Sequence, residues 1–264
     1  LEERGADWFR IEVEQRAGIK LEAARPFNFT RQGDLLGWHK QHNGKIFLGL
    51  FVENGRILDR PGYKLRTGLR QVIERFKPEV RLTASQNILL VNIAPADRDA
   101  IEKLLTEHGV SASNPYSRTR LASMACPALP TCGLALAESE RVLPAFVTKV
   151  EELLADLGLK DQELILRMTG CPNGCARPYM AEIALVGKAP NKYQLYLGGN
   201  EASTRLNRLY KDSVKGEDLI PELRKTLERF KAERLPGERF GDFCARVIWP
   251  EAATPAVPIL AAAS

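Results

Sequence analysis

Hydrophobic and polar positions along the chain repeat with two different periods, and the switches between them mark out its elements. KIFLGLFV, from Lys45, has strand composition, and TGLRQVIERF sets Leu69, Val72, Ile73 and Phe76 on one helical face. That spacing predicts a helix with Thr67 as its N-cap and Pro78 as its stop. VRLTA and NILLVNI predict two further strands. ADRDAIEKLLTEHG predicts a helix that turns Ile101, Leu104 and Leu105 inward and ends at Gly109. The order strand, helix, strand, strand, helix is most of a ferredoxin-like split unit, with helices on one face of a mainly antiparallel sheet.

SASNPYSRTR is polar and turn-rich, which places a domain boundary near residues 110–118. In RVLPAFVTKVEELLADLG the residues Leu143, Phe146, Val147, Val150, Leu153, Leu154 and Leu157 recur at helical spacing before Gly158. ELILRM, EIALVG and KYQLYLGG read as strands, the last alternating Tyr193, Leu195 and Leu197 with Gln194 and Tyr196. DLIPELRKTLERFKAER, with Leu219, Leu223, Leu227 and Phe230 on one stripe, reads as a final amphipathic helix with a solvated basic face. The expected fold class is α+β. The division is a linker or extended segment over 1–34, a ferredoxin-like half-domain (βαββα) over 35–112, an α/β domain over 113–250 and a tail of low complexity over 251–264. No internal repeat is present.

Composition narrows the function classes. The chain has 264 residues, 44% hydrophobic and 27% charged, enough to bury a core without disulfide staples. No apolar run approaches the roughly 18 residues of a membrane span. The start, LEERGADWFR, lacks the apolar core of a secretory signal, so a cytoplasmic protein is expected. It also lacks an initiator methionine, which suggests a processed product or a fragment of a longer reading frame. The net charge of +5 is mild and spread out, and suits an anionic ligand or an acidic partner no better than a plain basic surface. No basic run interleaved with aromatics points to nucleic acid.

The cysteines carry the chemistry. Five of them, Cys126, Cys132, Cys171, Cys175 and Cys244, make an odd number that argues against a disulfide framework. Four form two close pairs, C-x5-C and C-x3-C, with 38 residues between the pairs, while Cys244 reads as a buried packing residue. Two such pairs can close on one metal centre. Zinc knuckles favour tighter spacings, and the wider loops suit a cube of iron and sulfide, although zinc stays open on spacing alone. Gly170 and Gly174 let backbone amides approach sulfur, and Pro127 and Pro172 direct the chain away from it. His39 and His42 read as a polar turn rather than a metal pair, and Trp8, Trp38 and Trp249 as packing anchors. No phosphate cradle, nicotinamide or flavin fingerprint occurs.

SMACPALPTCGLALAESERVLP and RMTGCPNGCARPYMAEIALVGKAPNKYQLYLGGN closely resemble the cluster-binding segments of the sulfite and nitrite reductase family. FVENGRI, LTASQNILL and GDF match in order and spacing, so the resemblance runs from about Phe27 to Phe243. It implies that Cys126, Cys132, Cys171 and Cys175 bind a [4Fe-4S] cluster and that Cys175 also supplies the axial sulfur of siroheme. It implies a six-electron reduction of sulfite to sulfide in sulfur assimilation and cysteine biosynthesis, with nitrite reduction as the alternative within the family. A zinc-stabilised interaction domain is the alternative outside enzymology.

The resemblance further places Asn173 and Gln86 beside the macrocycle. Arg118, Arg120, Arg177 and Lys188 are candidate cations for siroheme carboxylates or the anionic substrate, with Arg118 and Arg177 the preferred cofactor contacts. The implied donor is an NADPH-dependent flavoprotein or ferredoxin. Members of the family hold two copies of the two-domain module. Only the second is present, so the amino-terminal half, which supplies most of the substrate cage, is an expected partner. Ala176 stands where the family commonly has glycine.

Overall fold

The computed structural model describes residues 1–23, 25, 27 and 33–250. The described residues divide into a short unit within Leu1–Thr30 and a large one within Arg31–Thr254. In the first, α1 (Gly5–Ala17) is a helix where the sequence reading expected extended chain. It buries no residue and has no apolar stripe, so periodicity could not reveal it. Good helix formers and the exposed i,i+4 pairs Arg10–Glu14 and Glu12–Arg16 support it, and Gly18 ends it in the left-handed region. Residues 251–264, expected to be a tail, lie outside the described residues.

The large unit opens with β1 (Gly37–Lys40), β2 (Ile46–Leu50), a small hairpin of β3 (Asp59–Arg60) and β4 (Tyr63–Lys64), then α2 (Leu65–Phe76), β5 (Glu79–Leu82), β6 (Ile88–Ile93) and α3 (Arg98–Glu107). The four longer strands form an antiparallel sheet in the order β1-β2-β6-β5, with Leu48 opposite Leu90. Leu48, Leu50, Ile88 and Leu90 pack against Leu65, Leu69 and Val72 of α2 and Ile101 and Leu105 of α3. The mixed helix and sheet are the expected α+β class. β1, with the sequence GWHK, is too short and polar to announce itself, and exists through its pairing with β2. Helix α2 starts two residues before the expected cap. Thr67 lies in its first turn, where its N–H and hydroxyl both donate to Asp59.

The second part of this unit contains α4 (Arg118–Leu121), β7 (Met124–Ala125), α5 (Leu143–Asp156), β8 (Leu166–Thr169), β9 (Ile183–Ala189), β10 (Lys192–Leu197), β11 (Arg208–Lys215), α6 (Leu219–Glu233) and α7 (Phe240–Phe243). Its sheet runs β11-β10-β9-β8-β7, parallel between β7, β8 and β9 and antiparallel thereafter. Leu166 and Met168 of β8 enter a core with Val147 and Val150 of α5 and Leu223, Leu227 and Phe230 of α6. Cys244 is fully buried in this core, where loss of water raises its thiol pKa well above the ordinary 9.0. It is a packing residue, as expected. Trp249 and Trp38 pack against the two cores, but Trp8 is exposed beneath Arg4 and joins no core among the described residues.

Candidate metal and cofactor site

The two cysteine loops meet at Gly170, directly after β8. The Gly170 N–H donates to Cys126 Sγ at 3.3 Å, and its carbonyl accepts from Leu136 N at 2.7 Å and Ala137 N at 3.1 Å. A Cβ at this position would lie 2.6 Å from both Ala128 Cβ and Ala137 O, so only glycine lets the loops close. Gly187 on β9 completes the fit, because a Cβ there would stand 2.3 Å from Gly170 O.

Each thiol is fixed by its own local structure. Cys126 donates its N–H to Met168 O at 3.2 Å, continuing the pairing of β7 with β8, and its carbonyl accepts from Glu140 N at 3.1 Å. Cys132 closes a turn by donating to Ala128 O at 2.7 Å. Cys171 follows Gly170, and the Tyr179 hydroxyl holds the loop by donating to Pro172 O at 3.3 Å. Gly174, at φ +71°, turns the chain at Cys175, and Arg177 N closes that turn on Gly174 O at 2.7 Å. Ala176 packs with Met124, Cys126 and Ala128, so its methyl group is accommodated beside the first loop. Cys126 and Cys171 are buried, Cys132 is half-buried and Cys175 is exposed; none is in a disulfide.

The half-domain braces this site. Gln86 Nε2 donates to Ala125 O at 2.7 Å, next to Cys126, and Gln86 Oε1 is buried without a partner. Asn54 Nδ2 donates to Glu140 O at 3.0 Å, and Arg56 forks onto the Glu140 carboxylate, whose backbone N–H holds Cys126. Arg177 Nη2 donates to Ala84 O at 2.8 Å and lies 3.8 Å from Met124 Sδ. A cavity of about 450 Å³ lies among these groups, lined by Asn54, Arg56, Gln86, Asn87, Pro127 and Glu140.

The candidate cations separate on inspection. Arg120 is bound by Glu53 at 2.8 Å and Glu151 at 2.7 Å, and Lys188 by Asp212, so carboxylates of the chain already engage both. Arg118 and Asn173 are exposed. Arg177 is half-buried and binds only neutral acceptors. Arg167, which the sequence reading passed over, is 8% exposed and donates from Nη1 to Arg177 O at 2.9 Å, while its Nε has no partner. Burial first, and the Arg177 charge second, bring its pKa down to about 10, so it remains a cation at neutral pH. The signal was a lone arginine in ELILRM, a run that otherwise reads as buried strand.

His39 lies on β1, stacked on Phe47 at 5.0 Å with its Nε2 2.9 Å from Leu36 O, and His42 is in the following turn. Among the described residues no three His, Cys, Asp or Glu side chains converge on one ion. A cubane holds four thiolates on a wider tetrahedron. Four reduced thiols on two uncharged loops, joined at a glycine whose amide points at sulfur, fit that donor set.

The chain is similar to known proteins over most of its length. Residues 39–108 match the nitrite/sulfite reductase ferredoxin-like half domain. Over 93% of its length the chain is homologous to curated proteins named sulfite reductase [NADPH] hemoprotein beta-component. It is 49% identical to that of Afipia carboxidovorans and 48% identical to that of Myxococcus xanthus. The chain spans 42% and 44% of these two relatives' lengths. Among solved structures it superposes on the Mycobacterium tuberculosis NirA protein with a TM-score of 0.74 and 24% identity, covering 93% of this chain and 46% of that one. Dissimilatory sulfite reductase I superposes with a TM-score of 0.53 at 11% identity, covering 83% of this chain and 72% of that one. These two likenesses concern the fold alone.

Proposed function

We propose that the chain is the cluster- and siroheme-bearing portion of an enzyme that reduces sulfite to sulfide. The observation that carries this reading is the joining of two cysteine loops at Gly170, in a chain about half identical to named sulfite reductase hemoprotein components. Cys126, Cys132, Cys171 and Cys175 would hold a [4Fe-4S] cluster, and Cys175, the exposed thiol of the four, would also meet siroheme. The bound groups would deliver electrons to the sulfur of the substrate, six in all, as its oxygens leave as water.

The chain's own residues orient and protect. Gly170 N–H stabilises charge on Cys126 sulfur, and the half-domain fixes that cysteine through Glu140 and Ala125. Arg177, not engaged by a carboxylate, is the better placed of the proposed cofactor contacts, with Gln86, Asn173 and Arg118 as further proposals. The remaining length of the relatives is the proposed source of the other substrate-binding cations. Electrons would come from a flavoprotein that takes them from NADPH, or from ferredoxin, in a cytoplasmic route to cysteine.

Purified chain assayed for iron, acid-labile sulfide and zinc tests this reading. Equal iron and sulfide, with visible absorption and sulfide formed from sulfite under reduced viologen once the rest of the protein is supplied, support it. A colourless zinc protein overturns it.

A further inference from the structure

We infer that Arg167, with Arg177 beside it, is the built-in counter-charge of the thiolate site and holds up the reduction potential of a cluster bound there. The inference rests on the cluster reading above. Neither cysteine segment, 124–137 or 168–176, contains a charged residue. The charges flanking the second segment are Arg167 immediately before it and Arg177 immediately after.

Both arginines turn to this side of the sheet. Leu166 and Met168 enter the helix-covered core, so alternation along β8 puts Arg167 and Thr169 on the other face. Arg167 pairs in register with Met124 of β7, two residues before Cys126. Its guanidinium donates to the carbonyl of Arg177, two residues after Cys175, and the Arg177 guanidinium reaches Met124 Sδ. These contacts are unusual for a buried cation, because every acceptor of Arg167 and of the half-buried Arg177 is neutral and the charge acting on Arg167 is a second cation. Burying a cation beside a like charge is unfavourable unless an anion completes the site. Four thiolates around a cluster make that anion.

The consequence is electrostatic. An electron added to the cluster increases its negative charge, and a fixed neighbouring cation stabilises the reduced form more in a dry site than in water. Arg167 is therefore a positioning residue in the electrostatic sense, acting on the cluster without binding substrate.

The test is a redox titration of the iron- and sulfide-loaded chain, followed by the electron paramagnetic resonance of the reduced cluster. Arg167→Met and Arg167→Gln should lower the ratio of reduced to oxidised cluster about tenfold at a fixed ambient potential, a shift of about 59 mV to more negative values for one electron. Arg167→Lys, which keeps the charge but loses the fork, should stay close to wild type. Arg208→Gln, an exposed change on β11, should do nothing. Unchanged potentials in the neutral variants, or an equal shift in the lysine variant, would overturn the inference. Should the neutral Arg167 variants not fold, the half-buried Arg177→Met must shift the potential in the same direction, and no shift there overturns it as well. A wild-type chain without iron and sulfide defeats the functional reading itself, whereas a loaded cluster of unchanged potential defeats only the role of Arg167.

Discussion

The backbone N–H of Gly170 donates to the sulfur of Cys126 across 44 positions of sequence, at 3.3 Å. This bond joins the two loops that carry the cysteine quartet, and the absence of a side chain makes it possible. Gly170→Ala inserts a methyl group against Ala128 and Ala137, so the loops must part. We expect a loss of about 1–3 kcal/mol in stability and a greater fall in bound iron. Denaturation and metal analysis of the same preparation check both.

Glu140 connects the half-domain to the site: its backbone N–H holds Cys126 and its carboxylate takes the Arg56 fork. Removing Arg56 leaves the buried Glu140 carboxylate without that partner. Arg56→Ala should release iron to a chelator faster than wild type, and Arg56→Lys should recover part of the difference. Equal release rates in all three would show that the brace does not act on the site.

Glu182 is fully buried directly before β9 and holds α7 to the sheet. It accepts from Arg239, from Ile165 N at 3.0 Å and from Gly241 N at 3.1 Å. Burial pushes its carboxyl pKa up, and Arg239 with the two backbone N–H groups pulls it back. Glu182→Ala leaves those donors and the arginine without an acceptor. The expected cost is about 3–5 kcal/mol, measured by chemical unfolding of the folded variant.

Asp59 gives a signed pH dependence. The Thr67 hydroxyl and N–H bind its ionised form and hold its pKa below the ordinary 3.8, with Arg66 assisting. A depressed carboxyl pKa contributes stability that is complete above the unfolded value and is lost as pH falls through the lower folded value. Melting temperature should therefore drop below about pH 4, and Asp59→Asn should show a shallower drop over that window. An identical acid limb in the variant contradicts this assignment.

The fold was legible where burial imposes a period. Helices α2, α3, α5 and α6 and strands β2, β6 and β10 each present an apolar stripe or alternation, and each lies close to its expected place. The exposed elements escaped for the converse reason. Helix α1 buries nothing, and β1 and β11 are polar strands whose identity comes from their neighbours. The site divides in the same way. Cysteine spacing is local and readable, but the fates of Arg120 and Lys188 were set by partners such as Glu151, 31 positions from Arg120, and Asp212, 24 positions from Lys188. Arg167 was visible only as a charge in an apolar strand, and its meaning required the opposite face of the sheet.

The central claim is tested most directly by iron and acid-labile sulfide in the purified chain and its five single Cys→Ser variants. The account predicts equal iron and sulfide in the wild type, loss of both in the variants at Cys126, Cys132, Cys171 and Cys175, and retention at Cys244. Full retention at any of the four, or loss at Cys244 with the core intact, would contradict it.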